Sequence, residues 1–418
     1  MNPMSRRGLL TTSAVGSLLA GAATRVQAQT FGNPDLPPQG AINAQNPRSL
    51  VDPGPQNPAL AGQFPAAQSP PATDVGGLPQ NWASFNNSPK RIQNGGWARQ
   101  VTQADFALSE TISGVNMRLT AGGIRELHWH LAGEWAYMSY GNCRVTVFDE
   151  QSRMYVSDVK EGDIWFFPAG LPHSLQGTGS DGCEFILAFD DGKANEFNTL
   201  LVTDWLAHTP PEILAENFGI PADSFSKIPL QNRWIFQGRV PGDLTLDQAA
   251  VRGPNGAPPY PFTFTLAGLK PVKQTKGGEV RIADSTNFTM SKSIAAALVT
   301  IHPGGLREMH WHPNADEWQY WLKGKGRLGV FDTGPNAKTT DFNPGDIGYV
   351  KRNHGHYIKN TGNTDLQMLE VFRSDHFADI SLSDWLAHTP PEMVAQTLNV
   401  DVATIARFPK NKPAMMPE

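Results

Sequence analysis

Short apolar runs, several alternating with polar residues, recur along this chain. Arg144-Val-Thr-Val-Phe148, Asp163-Ile-Trp-Phe-Phe167 and Cys183-Glu-Phe-Ile-Leu-Ala-Phe189 are each bounded by glycine, proline or aspartate. Alternation with a period of two buries one face of a strand, so these runs predict many short antiparallel strands. The pattern is written twice. Asn116–Gly122 corresponds to Leu298–Gly304 and Val147-Phe-Asp149 to Val330-Phe-Asp332, while Asp204-Trp-Leu-Ala-His-Thr-Pro-Pro-Glu212 recurs unchanged as Asp384–Glu392. A repeat of about 180 residues is a whole domain, not a solenoid unit. The expected fold is all-β, with two tandem jelly-roll β-barrels and short flanking helices.

The flanking helices come from Thr209-Pro-Pro-Glu212 and Thr389-Pro-Pro-Glu392, where a hydroxyl precedes prolines and a glutamate sits three positions on. That arrangement predicts a helix over 210–218 capped by Thr209 and stopped by Gly219, and its counterpart in the second copy. Residues 230–264 carry Pro-Gly, Gly-Pro and Pro-Pro steps and predict a linker between a first barrel at 81–229 and a second at 265–418. Residues 29–80, dominated by Pro, Gln, Asn, Ala and Gly, predict a disordered or extended tether.

Within each barrel the informative residues are histidines. His128 and His130 lie two apart in a strand-like run, as do His310 and His312, so each pair presents two imidazoles to one face. Glu134 and Glu317 follow shortly, and His173 and His356 come at nearly the same distance downstream. Three imidazoles and a carboxylate form a nitrogen and oxygen donor set suited to a first-row divalent metal, and the lack of nearby thiols argues against structural zinc. The plain alternative is a histidine-rich solvated sheet face, which two complete copies make hard to sustain.

Composition narrows the class further. A formal net charge of −5 with 39% hydrophobic residues describes an ordinary globular chain and gives no basic surface for nucleic acid. The N-terminus reads Ser5-Arg6-Arg7-Gly8-Leu9-Leu10, then a small-residue apolar run, then Val26-Gln-Ala28. This pattern is similar to a twin-arginine export signal occupying residues 1–28, and implies a periplasmic or secreted product without a stable membrane anchor. In such a compartment Cys143 and Cys183 either pair or remain small buried thiols.

The spacing Gly-x5-His-x-His-x3,4-Glu-x6-Gly, followed by Gly-x5-Pro-x-Gly-x2-His, resembles the double motif of the cupin superfamily. Gly122–Gly141 and Gly304–Gly324 fit its first part at every fixed position. The runs Ile-Arg-Glu-Leu-His-Trp-His, Leu-Pro-His-Ser-Leu-Gln and Ala-Asp-Ser-Thr-Asn-Phe further resemble the bicupin oxalate decarboxylases, from about Trp97 to near the C-terminus. The resemblance implies manganese in each barrel, two ions per chain, held by His128, His130, Glu134 and His173 and by His310, His312, Glu317 and His356. It implies oxalate as the substrate, cleaved at the first site to formate and carbon dioxide with dioxygen required but not consumed. Related bicupins form trimer-based hexamers, so a homo-oligomer, trimer or hexamer, is expected. The alternatives are an oxalate oxidase that makes hydrogen peroxide and carbon dioxide, and a metal-binding bicupin without turnover.

Two further residues carry the implied chemistry. Arg125 matches the family's substrate-binding arginine, although strict alternation from His128 would turn Glu126 to the metal face, so a bulge at Gly122-Gly123 is expected to shift the phase. The segment from Phe189 to Asp204 is three residues longer than that from Phe372 to Asp384, and the surplus falls in Gly192–Thr199. In the family this is a lid whose glutamate donates a proton, the place taken by Glu196. The lid departs from the common Ser-Glu-Asn-Ser, reading Asn195-Glu196-Phe197-Asn198. In the second barrel Glu370 is a candidate second acid or metal-supporting group, and Arg307 the candidate substrate residue. There Lys351 and Asn353 replace Pro and Gly, and His354 is an added imidazole expected to crowd the metal. His208 and His388 are read as structural histidines beside the helices.

Overall fold

The computed structural model describes residues 57–411 and 414–417. The expected export signal and the first part of the expected tether lie outside the described residues. Two jelly-roll barrels follow, built from one twelve-stranded sheet in the first repeat and from a seven- and a six-stranded sheet in the second.

The motif glycines explain how each barrel turns its corner. Strand Glu134–Phe148 pairs through its first half with Asp163–Phe167 and Cys183–Phe189, and through its second half with Met154–Lys160 and His173–Gly177. It changes partners at Gly141, which has φ 73° and where an added Cβ would lie 2.1 Å from the Gly182 carbonyl oxygen. Only glycine fits a left-handed position that close to backbone. In the second barrel the same corner, at Gly324 with φ 77°, separates Glu317–Lys323 from Gly326–Asp332.

The barrels are stitched together by reciprocal strands. Trp82–Ser84, at the start of the first repeat, pairs with Asp346–Val350 of the second, and Thr263–Thr265, at the start of the second, pairs with Asp163–Phe167 of the first. One apolar cluster runs between them, including Phe85, Trp135, Phe166, Leu266, Trp318 and Tyr349. Separate cores fill each barrel, around Met117, Trp165 and Phe185 in the first and Val299, Trp321 and Met368 in the second. Trp135, Trp165, Trp318 and Trp321 are fully buried. At about 25 cal/mol per Å², each such ring contributes several kcal/mol against chain entropy.

Three expectations need correction. Residues 57–80 of the tether are ordered against the second barrel, where helices Pro58–Ala61 and Pro65–Gln68 start at prolines and Phe64 packs edge-on to Trp82 at 5.1 Å. Asp74 there accepts bonds from the Thr339 amide and hydroxyl at 2.9 and 2.7 Å. The segment needs no core of its own because it docks on a finished sheet. The stretch 230–264 is likewise not an open linker. Ile235–Gln237 pairs with Gly123–Arg125, and helix Leu244–Ala250 offers Asp247 to Arg144 at 2.5 Å. Strands of three residues are too short to register as alternation. Finally, helix Pro211–Phe218 ends as expected at left-handed Gly219, but its N-cap is Pro210. The Thr209 hydroxyl donates backward to Trp205 O at 2.8 Å, and Thr389 does the same to Trp385 O at 2.9 Å. Each closes the preceding helix instead of opening the next.

Candidate metal centres and lid

In each barrel the structure brings all four candidate ligands together. The donor atoms of His128, His130, Glu134 and His173 lie within 4.8 Å of one another, as do those of His310, His312, Glu317 and His356, and all eight residues are buried. Backbone carbonyls orient the imidazoles. His128 Nδ1 faces Glu126 O at 2.5 Å, His130 Nδ1 faces Ala132 O at 2.6 Å, and His173 Nδ1 faces Leu171 O at 2.8 Å. In the second barrel the partners are Glu308 O, Ala378 O and His354 O at 2.7, 2.7 and 3.0 Å. A carbonyl oxygen has no proton to give, so each Nδ1 carries the hydrogen and each Nε2 presents a lone pair.

Those lone pairs converge on carboxylate oxygens. His130 Nε2 is 3.1 Å and His173 Nε2 3.5 Å from Glu134 Oε2, while His312 and His356 Nε2 are 3.1 and 2.9 Å from Glu317 Oε2. The Nε2 atoms of His173, His310, His312 and His356 are buried without a hydrogen-bond partner. Lone pairs facing a carboxylate in a dry interior repel unless a cation sits among them, so the donor set fits a divalent metal on its own chemistry. Burial, reinforced by Arg125 and Arg307, holds His128 and His310 well below the usual imidazole range. Sequence reasoning had no signal for Trp165 Nε1, which fixes Glu134 Oε1 at 3.1 Å, or for Gln319 Nε2, which fixes Glu317 Oε1 at 2.8 Å.

The conflict over Arg125 is resolved by a bulge, though not at Gly122-Gly123. Arg125 stands opposite Leu175 and His128 opposite His173, so the extra residue lies between Arg125 and His128. Cross-strand partners share a face, and Leu175 and His173 are two apart, which places Arg125 with the ligands. Glu126 turns away and accepts the Thr203 amide and hydroxyl at 2.9 and 2.5 Å. The second barrel repeats the shift between Arg307 and His310.

The two arginines then part company. Arg125, 3% exposed, donates among the described residues only to Trp234 O at 3.2 Å and Thr199 Oγ1 at 3.3 Å. Arg307 meets Asp379 Oδ2 at 2.8 Å and Glu370 Oε1 at 3.5 Å. Thr199 and Asp379 are equivalent, each five residues before the repeated Asp-Trp-Leu-Ala-His run. Burial lowers the Arg125 guanidinium, whereas for Arg307 the acids outweigh burial and raise it. Burial pushes Glu370 up to about 8 against the opposing pull of Arg307. Glu370 thus lies beside Arg307 in the second centre, not alone with a metal.

His354 does not crowd that centre. Its Nε2 is 3.2 Å from Asp332 Oδ1, and it is absent from the ligand cluster. Asn353 takes φ 68° where Gly170 has 81°, a left-handed position that asparagine tolerates, so the changed motif keeps its turn. His208 and His388 stand apart from both clusters, each bonded at 2.8 Å to the carbonyl four residues earlier. Cys143 and Cys183 are both buried and free.

The lid is a single 3-10 turn, Glu196–Asn198, capped by the Asn195 side chain at 2.8 and 3.0 Å from the Phe197 and Asn198 amides. Glu196 is 4% exposed and ion-paired to Arg91. Phe197 is 58% exposed and packs edge-on to Trp234 at 5.7 Å.

A pair of barrels, each closing three imidazoles and a glutamate around one point, defines a bicupin with two metal centres. The cupin family matches residues 83–223 and 264–406. Oxalate decarboxylase OxdC of Bacillus subtilis is 48% identical over 346 residues, 83% of this chain and 89% of that protein. An oxalate decarboxylase of Arthroderma benhamiae is 37% identical over 87% of this chain and 91% of its own length. A structure of the Bacillus subtilis enzyme, solved for work on its Mn(II) centres, superposes with a TM-score of 0.85 at 46% identity, covering 87% of this chain and 96% of that one. This chain belongs to the cupin family and, within it, to the bicupin oxalate decarboxylases.

Proposed function

We propose that this protein is a manganese-dependent oxalate decarboxylase, converting oxalate and one proton to formate and carbon dioxide, with dioxygen required but not consumed. The observation that carries the reading is Arg125, a buried guanidinium beside a complete ligand set with no carboxylate partner among the described residues. Bound manganese would supply a Lewis acid and a one-electron partner there. Arg125 orients one oxalate carboxylate by charge-assisted hydrogen bonds, and with the metal it offsets the dianion's charge. Glu196 on the lid gives the proton that completes formate, and lid closure excludes water and peroxide-forming side reactions. In the second centre Asp379 already pairs with Arg307 at 2.8 Å and Glu370 crowds it, so that site is the poorer receptor for a dianion.

The eight ligands are assigned accordingly, His128, His130, Glu134 and His173 to one ion and His310, His312, Glu317 and His356 to the other. Phe197 in the lid favours a measurable oxidase side reaction, since an exposed ring replaces a small polar residue beside the acid. Chelation should abolish oxalate loss, manganese should restore it, and exclusion of dioxygen should stop it. Full turnover by metal-free protein, or under argon, would overturn the proposal. Assembly into trimers or hexamers is supported by Trp205, Ile213 and Phe218 and by Trp385 and Met393, exposed apolar residues on the flanking helices, and light scattering tests it. Export is supported by Arg6-Arg7 and the following apolar run, and fractionation with an Arg6→Lys, Arg7→Lys precursor tests it.

A further inference from the structure

The lid acid is held by a residue far from it in sequence. Arg91, on the short strand Arg91–Gln93, donates through Nη2 to Glu196 Oε2 and through Nη1 to Gln93 Oε1. Its guanidinium carbon lies 4.9 Å from the centre of the Trp234 ring, against which Phe197 also packs at 5.7 Å. Gln93 Oε1 in turn accepts the Ile235 amide at 2.9 Å, and Trp234 O accepts from Arg125. Arg91 is therefore braced by the same segment that braces the substrate arginine. The Glu196 amide is fixed separately, at 3.1 Å from Gln100 Oε1.

This bracing leaves the two carboxylate oxygens of Glu196 unlike. Oε2 is committed to Arg91, whereas Oε1 is buried without a hydrogen-bond partner. An oxygen bonded to a guanidinium receives a hydrogen that never transfers, so it takes no part in proton exchange. The free oxygen is then the one that carries the proton. Glu196 and Arg91 also line a cavity of about 500 Å³ with Lys90, Arg99 and Gln100, which gives the carboxyl a path for renewed protonation from solvent.

We propose that Arg91 is the positioning residue of the lid, holding Glu196 by Oε2 so that Oε1 delivers the proton. The proposal rests on the decarboxylase reading above. Without Arg91 the lid would still close over the metal, but its carboxyl would be free to rotate and would meet the decarboxylated intermediate less often. Formate would fall and peroxide would take a larger share, while oxalate binding, set by Arg125 and the metal, would change little.

The experiment compares manganese-loaded wild type, Arg91→Gln, Arg91→Lys, Glu196→Gln and the Arg91→Gln, Glu196→Gln double variant, measuring formate, peroxide, KM for oxalate and bound manganese. For Arg91→Gln the expected result is about a 10-fold lower kcat for formate, KM within about 2-fold, unchanged manganese and a raised peroxide share. Arg91→Lys should fall between, because it restores one donor without the fork. In the Glu196→Gln background, Arg91→Gln should have no further effect on formate. Wild-type formate and peroxide in both Arg91 variants would overturn the proposal, as would a further loss of formate in the double variant as large as Arg91→Gln causes alone. Should Arg91→Gln fail to fold, Arg91→Lys with wild-type kinetics would still overturn it. If Glu196→Gln itself made formate normally, the fault would lie with the decarboxylase reading of the lid instead.

Discussion

At the scale of residues, the metal ligands and the acids around them have separable duties. Glu196 is paired with Arg91 and contributes no donor atom to the cluster, so Glu196→Gln should lower formate production by about 100-fold or more and leave bound manganese unchanged. Product analysis beside metal analysis checks this. His130→Ala or Glu134→Ala should do the reverse, taking manganese from about two ions per chain towards one, because a ligand and its share of the donor charge are lost. The ligand residues were legible in the sequence because they recur in two copies at nearly the same steps from turn residues, mostly glycines. Arg91 was not, because its partner lies 105 residues away and neither neighbourhood marks it.

At the scale of elements, one of the differences between the two centres sits just before equivalent short strands, where Thr199 stands in the first barrel and Asp379 in the second. Thr199→Asp would give Arg125 the carboxylate that Asp379 gives Arg307. Oxalate KM should rise about 10-fold or more with manganese retained, since the dianion would then compete with a built-in acid. An unchanged KM would show that Arg125 does not set oxalate affinity. The bulge that turns Arg125 inward was not legible at its true position, because periodicity gives the phase of a strand but not where that phase slips. The corner at Gly141 was legible as a motif glycine, and the structure supplies its reason. Gly141→Ala should destabilise the first barrel by about 2 kcal/mol or more, read as a lower unfolding midpoint, because the new Cβ would meet the Gly182 carbonyl in a left-handed turn.

At the scale of the whole molecule, the twofold repeat announced two barrels, while their reciprocal stitching stayed hidden. Trp82–Ser84 and Thr263–Thr265 are three-residue strands that pair outside their own repeat, and no local pattern records a partner so distant. Residues 57–80 read as a tether for the same reason, since their order comes from the sheet they dock on. The buried, closed centres also bear on how the right ion is chosen. Copper and zinc outrank manganese for nitrogen and oxygen donors, so a chain folded where those ions are free would be expected to take them up. Export of an already folded, loaded protein would avoid this. Sending the mature chain through an unfolded-chain route should therefore lower manganese occupancy and activity, as metal analysis of the exported protein would report.

The central claim is that the first centre turns oxalate into formate, and its most direct measurement is a carbon balance. Labelled oxalate supplied to metal-analysed protein in air should yield one formate and one carbon dioxide per oxalate consumed, with peroxide a minor product. Two carbon dioxides and one peroxide per oxalate would make the protein an oxidase and contradict the account.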